Sequence, residues 1–461
     1  MKKFFKVLGL VIISIVVIAL IYVAIYFPPV MAGMAAKTMC SCVFIGGRTP
    51  ESVKAMELQV FPGLSSADFV LNRRDSTVEA RIAWKTTKSI FREGLGCTLL
   101  SEASEADIRG QRLSFAKRQD HDAMDWPDGD HTSPSTVSNG VNMSMINEAI
   151  AGAFTDVDAS KPKNTLAVVV LHNGQIIGER YADGFYRNSR FAGWSMAKSI
   201  TSALIGILVK ERKLSVEENA PVAAWRSDER NDITINNLLQ ANSGLAWSES
   251  YFVPTSTFHN MFILSDDKGG YASDQKLKYA PGKNWLYSSG STNILSKIIH
   301  ETVGDSAYYR FPYEQLFYKI GMNHTLLEVD ASGTFVGSSY CFASARDWAR
   351  FGLLYLHDGV WNGERILPEG WVKYTTTPSP AAKIGQYGAQ WWLNVGEPDD
   401  SSNRKYPTLP TDAYWADGFE QQWVMVIPSS KLVIVRLGVS HHGSDFVDMT
   451  EMIIRAVSTK E

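Results

Sequence analysis

Cysteine is scarce: the four residues Cys40, Cys42, Cys97 and Cys341 are too few for a disulfide-stapled scaffold. No H-E-x-x-H pattern occurs, Cys40-Ser41-Cys42 lacks the C-x-x-C spacing, and His121, His131, His172, His259, His300, His324 and His357 are scattered. No metal site is therefore expected. Gly282-Lys283 lacks the glycines that would make a phosphate loop. No long basic run occurs beyond the first residues, and the net charge is −3, which excludes an electrostatic nucleic-acid binder. Internal repeats are absent too.

What the chain has is apolar bulk. At 461 residues and 45% hydrophobic content it should form two or more folded units. Lys2, Lys3 and Lys6 precede an uncharged apolar run from Val7 to Phe27, closed by Pro28 and Pro29. That run matches the roughly 20 residues of a membrane-crossing helix and exceeds a signal-peptide core. Residues 1–29 are thus expected to be a transmembrane anchor or uncleaved signal in the inner membrane. Ala32, Gly33, Ala35 and Ala36 leave cleavage open. Lysines that stay cytoplasmic put the remainder in the periplasm or outside the cell. In that compartment an even cysteine count favours disulfides, with Cys97 pairing to Cys40 or Cys42.

Residues 38–103 read as a small β-rich extension, with strand-like stretches at Cys42 to Ile45, Ala67 to Leu71 and Val78 to Trp84. Residues 104–142 turn polar and read as a linker. The main domain, 143–461, starts with a helix over about 143–154. TLAVVVLH and QIIGERY follow, separated by Asn173-Gly174, a strong hairpin signal. WVMVIPSSKLVIVRLG reads as a second hairpin turning at Pro428–Ser430, and an amphipathic helix follows over about Asp445 to Val457. The expected fold is α/β of the α+β type: an antiparallel sheet from both ends of the domain, flanked by helices, with a helical region inserted.

S-x-x-K occurs at Ser114, Ser160, Ser195, Ser265, Ser273 and Ser402, so context must choose. Only Ser195 opens a long apolar helix, SMAKSITSALIGILVKE. Positions i and i+3 share a helix face, which puts Lys198 beside Ser195. A helix N-terminus favours a developing oxyanion, and a buried lysine has a lowered pKa, so it can accept the serine proton. Tyr287-Ser288-Ser289 then precedes another helix. Tyr287 could relay a proton and Ser289 could bond substrate. Asp417-Gly418-Phe419 leads into the last hairpin, where Phe419 could supply an oxyanion N–H.

The order S-x-x-K, Y-x-S and a Gly-containing edge strand resembles the penicillin-recognising serine hydrolases. Within them it is most similar to the class C β-lactamase-like branch with the 6-aminohexanoate-dimer hydrolases and esterases. LLQANSGLAW, PGKNWLYSSG, YGAQWW and SARDWARFGLLYLHDGVWNGERILPEGWV add to the likeness over about residues 143–455. The resemblance implies a β-lactamase/transpeptidase-like fold and a small-molecule amide or ester substrate, with no cofactor. It also implies Ser195 as acylated nucleophile, Lys198 as general base, Tyr287 as proton relay, and an oxyanion hole from the N–H groups of Ser195 and Phe419. The pattern departs at Ala416-Asp417-Gly418, where an acid stands in place of the usual cation or histidine. Asp417 should repel substrate carboxylates, which redirects the expectation from β-lactams to other amides or esters. Ser289 also stands where many members have Asn.

Two rivals remain at this level. An α/β-hydrolase would use the near-elbow Gly193-Trp194-Ser195-Met196-Ala197 with His441 or His442. A membrane-tethered sensor would keep the acylation site and lose turnover.

Overall fold

The computed structural model describes residues 2–113, 123–132, 140–397, 399–400, 402–442 and 446–458. Ser114, His121, much of the expected linker and Asp445 lie outside them.

Helix α1 (Lys2–Phe44) does not stop at Pro28 and Pro29. A proline lacks the N–H that would bond the carbonyl four residues earlier, which for Pro28 is that of Ala24. The Trp84 indole N–H takes its place and donates to the Ala24 carbonyl at 2.8 Å. The carbonyl is satisfied and the helix runs on. Its first half presents exposed apolar side chains such as Ile12, Leu20 and Ile25, whereas Ala32, Ala35, Ala36, Met39 and Cys40 are fully buried. Cys42 to Phe44, expected in a strand, thus belong to the helix. Its pitch carries a buried stripe that a short window of β-branched and aromatic residues does not reveal.

Four antiparallel strands follow: β1 (Asp68–Asn72), β2 (Thr77–Ile82), β3 (Lys85–Arg92) and β4 (Gly96–Leu100). A disulfide between Cys40 and Cys97, which are 57 positions apart in sequence, ties α1 to β4. Closing a loop of that size constrains the unfolded chain by on the order of 4 kcal/mol in the entropic model. Buried Glu328 adds a second tie. It pairs with Lys37 at 2.7 Å and accepts from the Ser41 hydroxyl and the Cys97 N–H at 2.9 and 2.7 Å.

The main sheet has six strands in the order β7-β8-β9-β10-β5-β6. They are β5 (Thr165–His172) and β6 (Gln175–Tyr181), then β7 (Trp392–Leu393), β8 (Tyr414–Gly418), β9 (Gln422–Ile427) and β10 (Leu432–Gly438). All neighbours are antiparallel, and β10 pairs with β5, joining the two ends of the domain. The continuous apolar run of β5 follows from burial on both faces. Val168 and Val170 pack toward α2 (Met143–Ala153) and α6 (Val447–Ser458) in one core, while Ala167 and Val169 join the larger core on the other face. That second core holds α3 (Ala197–Lys210), α4 (Ser289–Val303) and α5 (Ala345–Leu356). The expected two-ended sheet with a helical insertion is what forms.

The polar stretch before α2 is not wholly solvated. The Trp126 indole donates to Gly174 O, and Arg350 of α5 bonds Asp130 at 2.8 Å. A charge pair fixed by buried arginine is not visible as hydrophobic periodicity.

Candidate active site

Ser195 sits in a single 3₁₀ turn, Trp194–Met196, that feeds α3. Trp194 before it has φ +47°, a left-handed conformation rare for a bulky residue. Such outliers concentrate where structure over-determines the backbone. Here the Gly193 N–H is pinned to Cys341 O at 2.8 Å, and a Cβ on Gly193 would run into the Trp348 ring. The turn leaves Ser195 half-buried and open to a cavity.

Lys198, one helical turn on, is 2% exposed. Its Nζ lies 3.0 Å from Ser195 Oγ, 3.1 Å from Ser289 Oγ and 2.9 Å from the Ser338 carbonyl oxygen. Ser289 Oγ gives its own proton to Glu249, so toward Lys198 it can only accept. Glu249 is held by the Ser289 N–H at 2.9 Å and by the Trp247 indole. A neutral lysine amine has two N–H groups and one lone pair. With Ser338 O and Ser289 Oγ taking the two protons, the lone pair faces the Ser195 hydroxyl. Burial drives the Lys198 amine down to about 8, against the opposing pull of Glu249 and Asp417. About a tenth of the lysine is then neutral at pH 7, far more than at its ordinary value.

The Tyr287 phenol interacts with Ser195, and its ring lies under Lys198 Nζ at 4.8 Å. Tyr387 and Trp392 flank that ring at 5.9 and 5.4 Å between centroids. Burial, reinforced by Tyr387 and Tyr251, pushes its ionisation well above the ordinary phenol value. The group is a proton donor, not a phenolate.

Strand β8 brings Gly418 and Phe419 to the same point. A Cβ on Gly418 would overlap the Gly193 carbonyl oxygen, so only glycine lets β8 pass this close to the serine turn. The Phe419 and Trp194 rings meet edge-on at 5.8 Å. β8 is not the sheet's edge, as the sequence pattern suggested: two-residue β7 covers Trp415 and Tyr414. Beyond that pair, Ala416 to Gly418 ladder only to β9. A two-residue strand carries too little alternation to be read from sequence.

The sequence-predicted residues thus converge, with one change of place. Ser289 is 1% exposed and both its roles are taken by Lys198 and Glu249, so it faces the lysine and not the cavity. Glu249 was missed, and in NSGLAWSESY no pattern separates it from an ordinary loop acid. The rival S-x-x-K serines differ. Ser160 and Ser402 bond Asp158 and Asp400, Ser273 bonds Gly270 O, and Lys268 reaches the carbonyl rather than the hydroxyl of Ser265.

A cavity of about 350 Å³ opens over Ser195, walled by Tyr251, Tyr287, Trp392, Asp417, Phe419 and Trp423, with Lys405 on its rim. Burial lifts the Asp417 carboxyl to about 6, restrained by Lys405, Trp423 and Lys198. His441 lines the cavity too, but its Nε2 is bonded to Met56 O at 2.8 Å and its Nδ1 lies 2.7 Å from Glu420. Together with the antiparallel sheet, this removes the α/β-hydrolase reading.

A two-faced antiparallel sheet with a serine–lysine helix under β8 defines a β-lactamase/transpeptidase-like α/β fold. The Beta-lactamase family model matches residues 150–457, and the chain belongs to that family as one of its serine hydrolases. It is similar to the 6-aminohexanoate-dimer hydrolase of Paenarthrobacter ureafaciens, with 22% identity over 54% of this chain and 70% of that one. Among solved structures it resembles a family VIII carboxylesterase (14% identity, TM-score 0.53, 68% of this chain and 96% of that one). It also resembles a class C β-lactamase solved with cefoxitin (16% identity, TM-score 0.50, 68% and 98%). One fold carries both of those proteins, so it does not choose between ester and lactam.

Proposed function

We propose that this protein hydrolyses amides or esters through an acyl-enzyme on Ser195, anchored in the membrane by α1. The observation that carries the reading is the buried Lys198 Nζ with Ser195 Oγ, Ser289 Oγ and Ser338 O around it, an arrangement in which a neutral amine can donate to the last two and turn its lone pair to Ser195. Ser195 Oγ attacks the substrate carbonyl carbon and its proton passes to Lys198 Nζ. The N–H groups of Ser195 and Phe419 receive the oxyanion. As the tetrahedral intermediate collapses, Tyr287 delivers a proton to the departing amine or alcohol and recovers one from Lys198. Water then attacks the acyl carbon, and the same groups return Ser195 to its hydroxyl form.

Anchoring rests on the exposed apolar first half of α1. The small residues that could have marked cleavage are buried inside the folded domain, which favours retention of the helix. Lys2, Lys3 and Lys6 on the cytoplasmic side put the hydrolase domain in the periplasm or outside the cell.

Two results test this reading. On a panel of p-nitrophenyl esters, short linear amides and nitrocefin, turnover of the uncharged esters or amides is expected to exceed that of nitrocefin. Asp417 disfavours a carboxylate, although Lys405 on the rim softens that bias. A clear preference for nitrocefin contradicts it. The pH profile is the second test. The active base is the neutral amine, so kcat/KM should rise about tenfold per unit below about 8 and level off above it. Asp417 holds the lysine up, so Asp417→Asn should move this limb to lower pH. A limb that stays put or moves to higher pH removes Lys198 from the role.

A further inference from the structure

A second, apolar pocket touches Ser195 on the side away from Asp417. We propose that it takes the acyl chain of an amphiphilic ester or amide drawn from the bilayer, with the anchor helix itself as one wall. This rests on the hydrolase and anchoring readings above.

Met34 and Thr38, one turn apart on α1, line the pocket together with Phe61, Phe262, Ile263 and Phe419. Among the described residues no charged side chain lines it. The cavity on the other side of Phe419 instead holds Asp417, Glu420 and Lys405. Ser195 lines both. The nucleophile therefore stands where an apolar chamber meets a polar one, which suits an apolar acyl group on one side and a polar leaving group on the other.

The apolar chamber leads toward the membrane. The Phe61 ring meets Phe252 edge-on at 5.9 Å. Phe252 is 79% exposed and its neighbour Val253 45%. The same loop is fastened to the anchor, because the Thr255 and Tyr22 hydroxyls lie 2.8 Å apart. Trp84, 63% exposed, is fastened to Ala24 O beside it. Tyr22 and Ala24 lie in the last turns of the apolar run, so Phe252, Val253 and Trp84 sit where α1 leaves the bilayer. Exposed aromatic and apolar groups at that level match an interfacial belt. Met34 is ten residues beyond Ala24, about 15 Å along the helix at its usual rise. Gly33 makes the wall close: a Cβ there would overlap Ile263 Cγ2.

The test uses full-length protein in nanodiscs with soluble p-nitrophenyl acetate, butyrate and octanoate below their aggregation limits. Burial of the chain should raise kcat/KM by roughly threefold per methylene until the pocket is filled. Octanoate is then expected to exceed acetate by about 100-fold or more. Thr38→Trp and Met34→Trp, which fill the chamber from α1, should each cut the octanoate-to-acetate ratio at least tenfold. Phe252→Ser with Val253→Ser should raise KM for a long-chain ester embedded in phosphatidylcholine vesicles more than kcat falls. If acetate acylates Ser195 but chain length has no effect, the pocket assignment is overturned and the hydrolase reading stands. Absence of acylation by any of the esters overturns both. A chain-length preference that survives both tryptophan variants removes α1 as the wall, and an unchanged vesicle KM removes the bilayer route.

Discussion

Ser195→Ala should eliminate turnover of every ester and amide substrate, a fall on the order of 10⁴-fold or more. Without Oγ no acyl bond can form, and neither Lys198 nor Tyr287 retains a group to act on. The expected structural effect is small. Ser195 is only half-buried and its side chain contributes a hydrogen bond to Lys198. Losing that bond and the one with the Tyr287 phenol costs about 1 kcal/mol each. Circular dichroism and thermal unfolding of the variant should therefore match the parent closely while steady-state release of p-nitrophenol disappears. Turnover that persists in a folded Ser195→Ala protein places the chemistry elsewhere.

Lys198→Met is the second large effect, with kcat/KM at pH 7 lowered by about 10²–10⁴-fold, the usual contribution of a positioned general base. The more telling variant is Lys198→Arg. A guanidinium stays protonated in proteins and has no lone pair to offer. If Lys198 served only as a positive charge for an oxyanion or for Glu249, arginine would restore activity. The proposed general-base role requires an unprotonated amine, so arginine should leave the enzyme as impaired as methionine does. Stopped-flow acylation at pH 7 and pH 9 separates the cases: the parent accelerates with pH and neither variant does.

The parts of this site legible in the sequence are those whose chemistry depends on local spacing. Ser195 and Lys198 are held together by one helical turn, and the apolar length of α3 marked that helix as buried. Gly418 was read from the order of the motifs, S-x-x-K, Y-x-S and a Gly-containing strand, and the structure adds the reason: only a glycine fits against the Gly193 carbonyl. The hairpins at Asn173-Gly174 and Pro428–Ser430 announced themselves through turn chemistry. What stayed hidden depends on contacts far apart in sequence. Pro28 and Pro29 read as a helix stop, and the Trp84 indole on the Ala24 carbonyl, which replaces the bond Pro28 cannot make, lies 56 positions further along the chain. The stretch from Cys42 reads as a strand until Cys40 is seen bonded to Cys97 and Ser41 to Glu328. Ser289 was expected to bond substrate, and nothing in the sequence announced Glu249, which takes the Ser289 hydroxyl proton and leaves its oxygen to accept from Lys198.

Glu249 and Ser338 fix the direction of the lysine lone pair, which S-x-x-K spacing alone leaves free. In the proposed mechanism the raised phenol of Tyr287 separates its part from that of Lys198, since one group holds its proton where the other gives it up.

The most direct measurement is rapid quench of the full-length protein during turnover of a p-nitrophenyl ester, followed by mass mapping of the modified peptide. The account predicts a burst of p-nitrophenol equal to the enzyme concentration and continued turnover. It also predicts one added acyl group, on the peptide carrying Ser195. Acylation of any other residue, or turnover without a burst and without a covalent adduct, contradicts it.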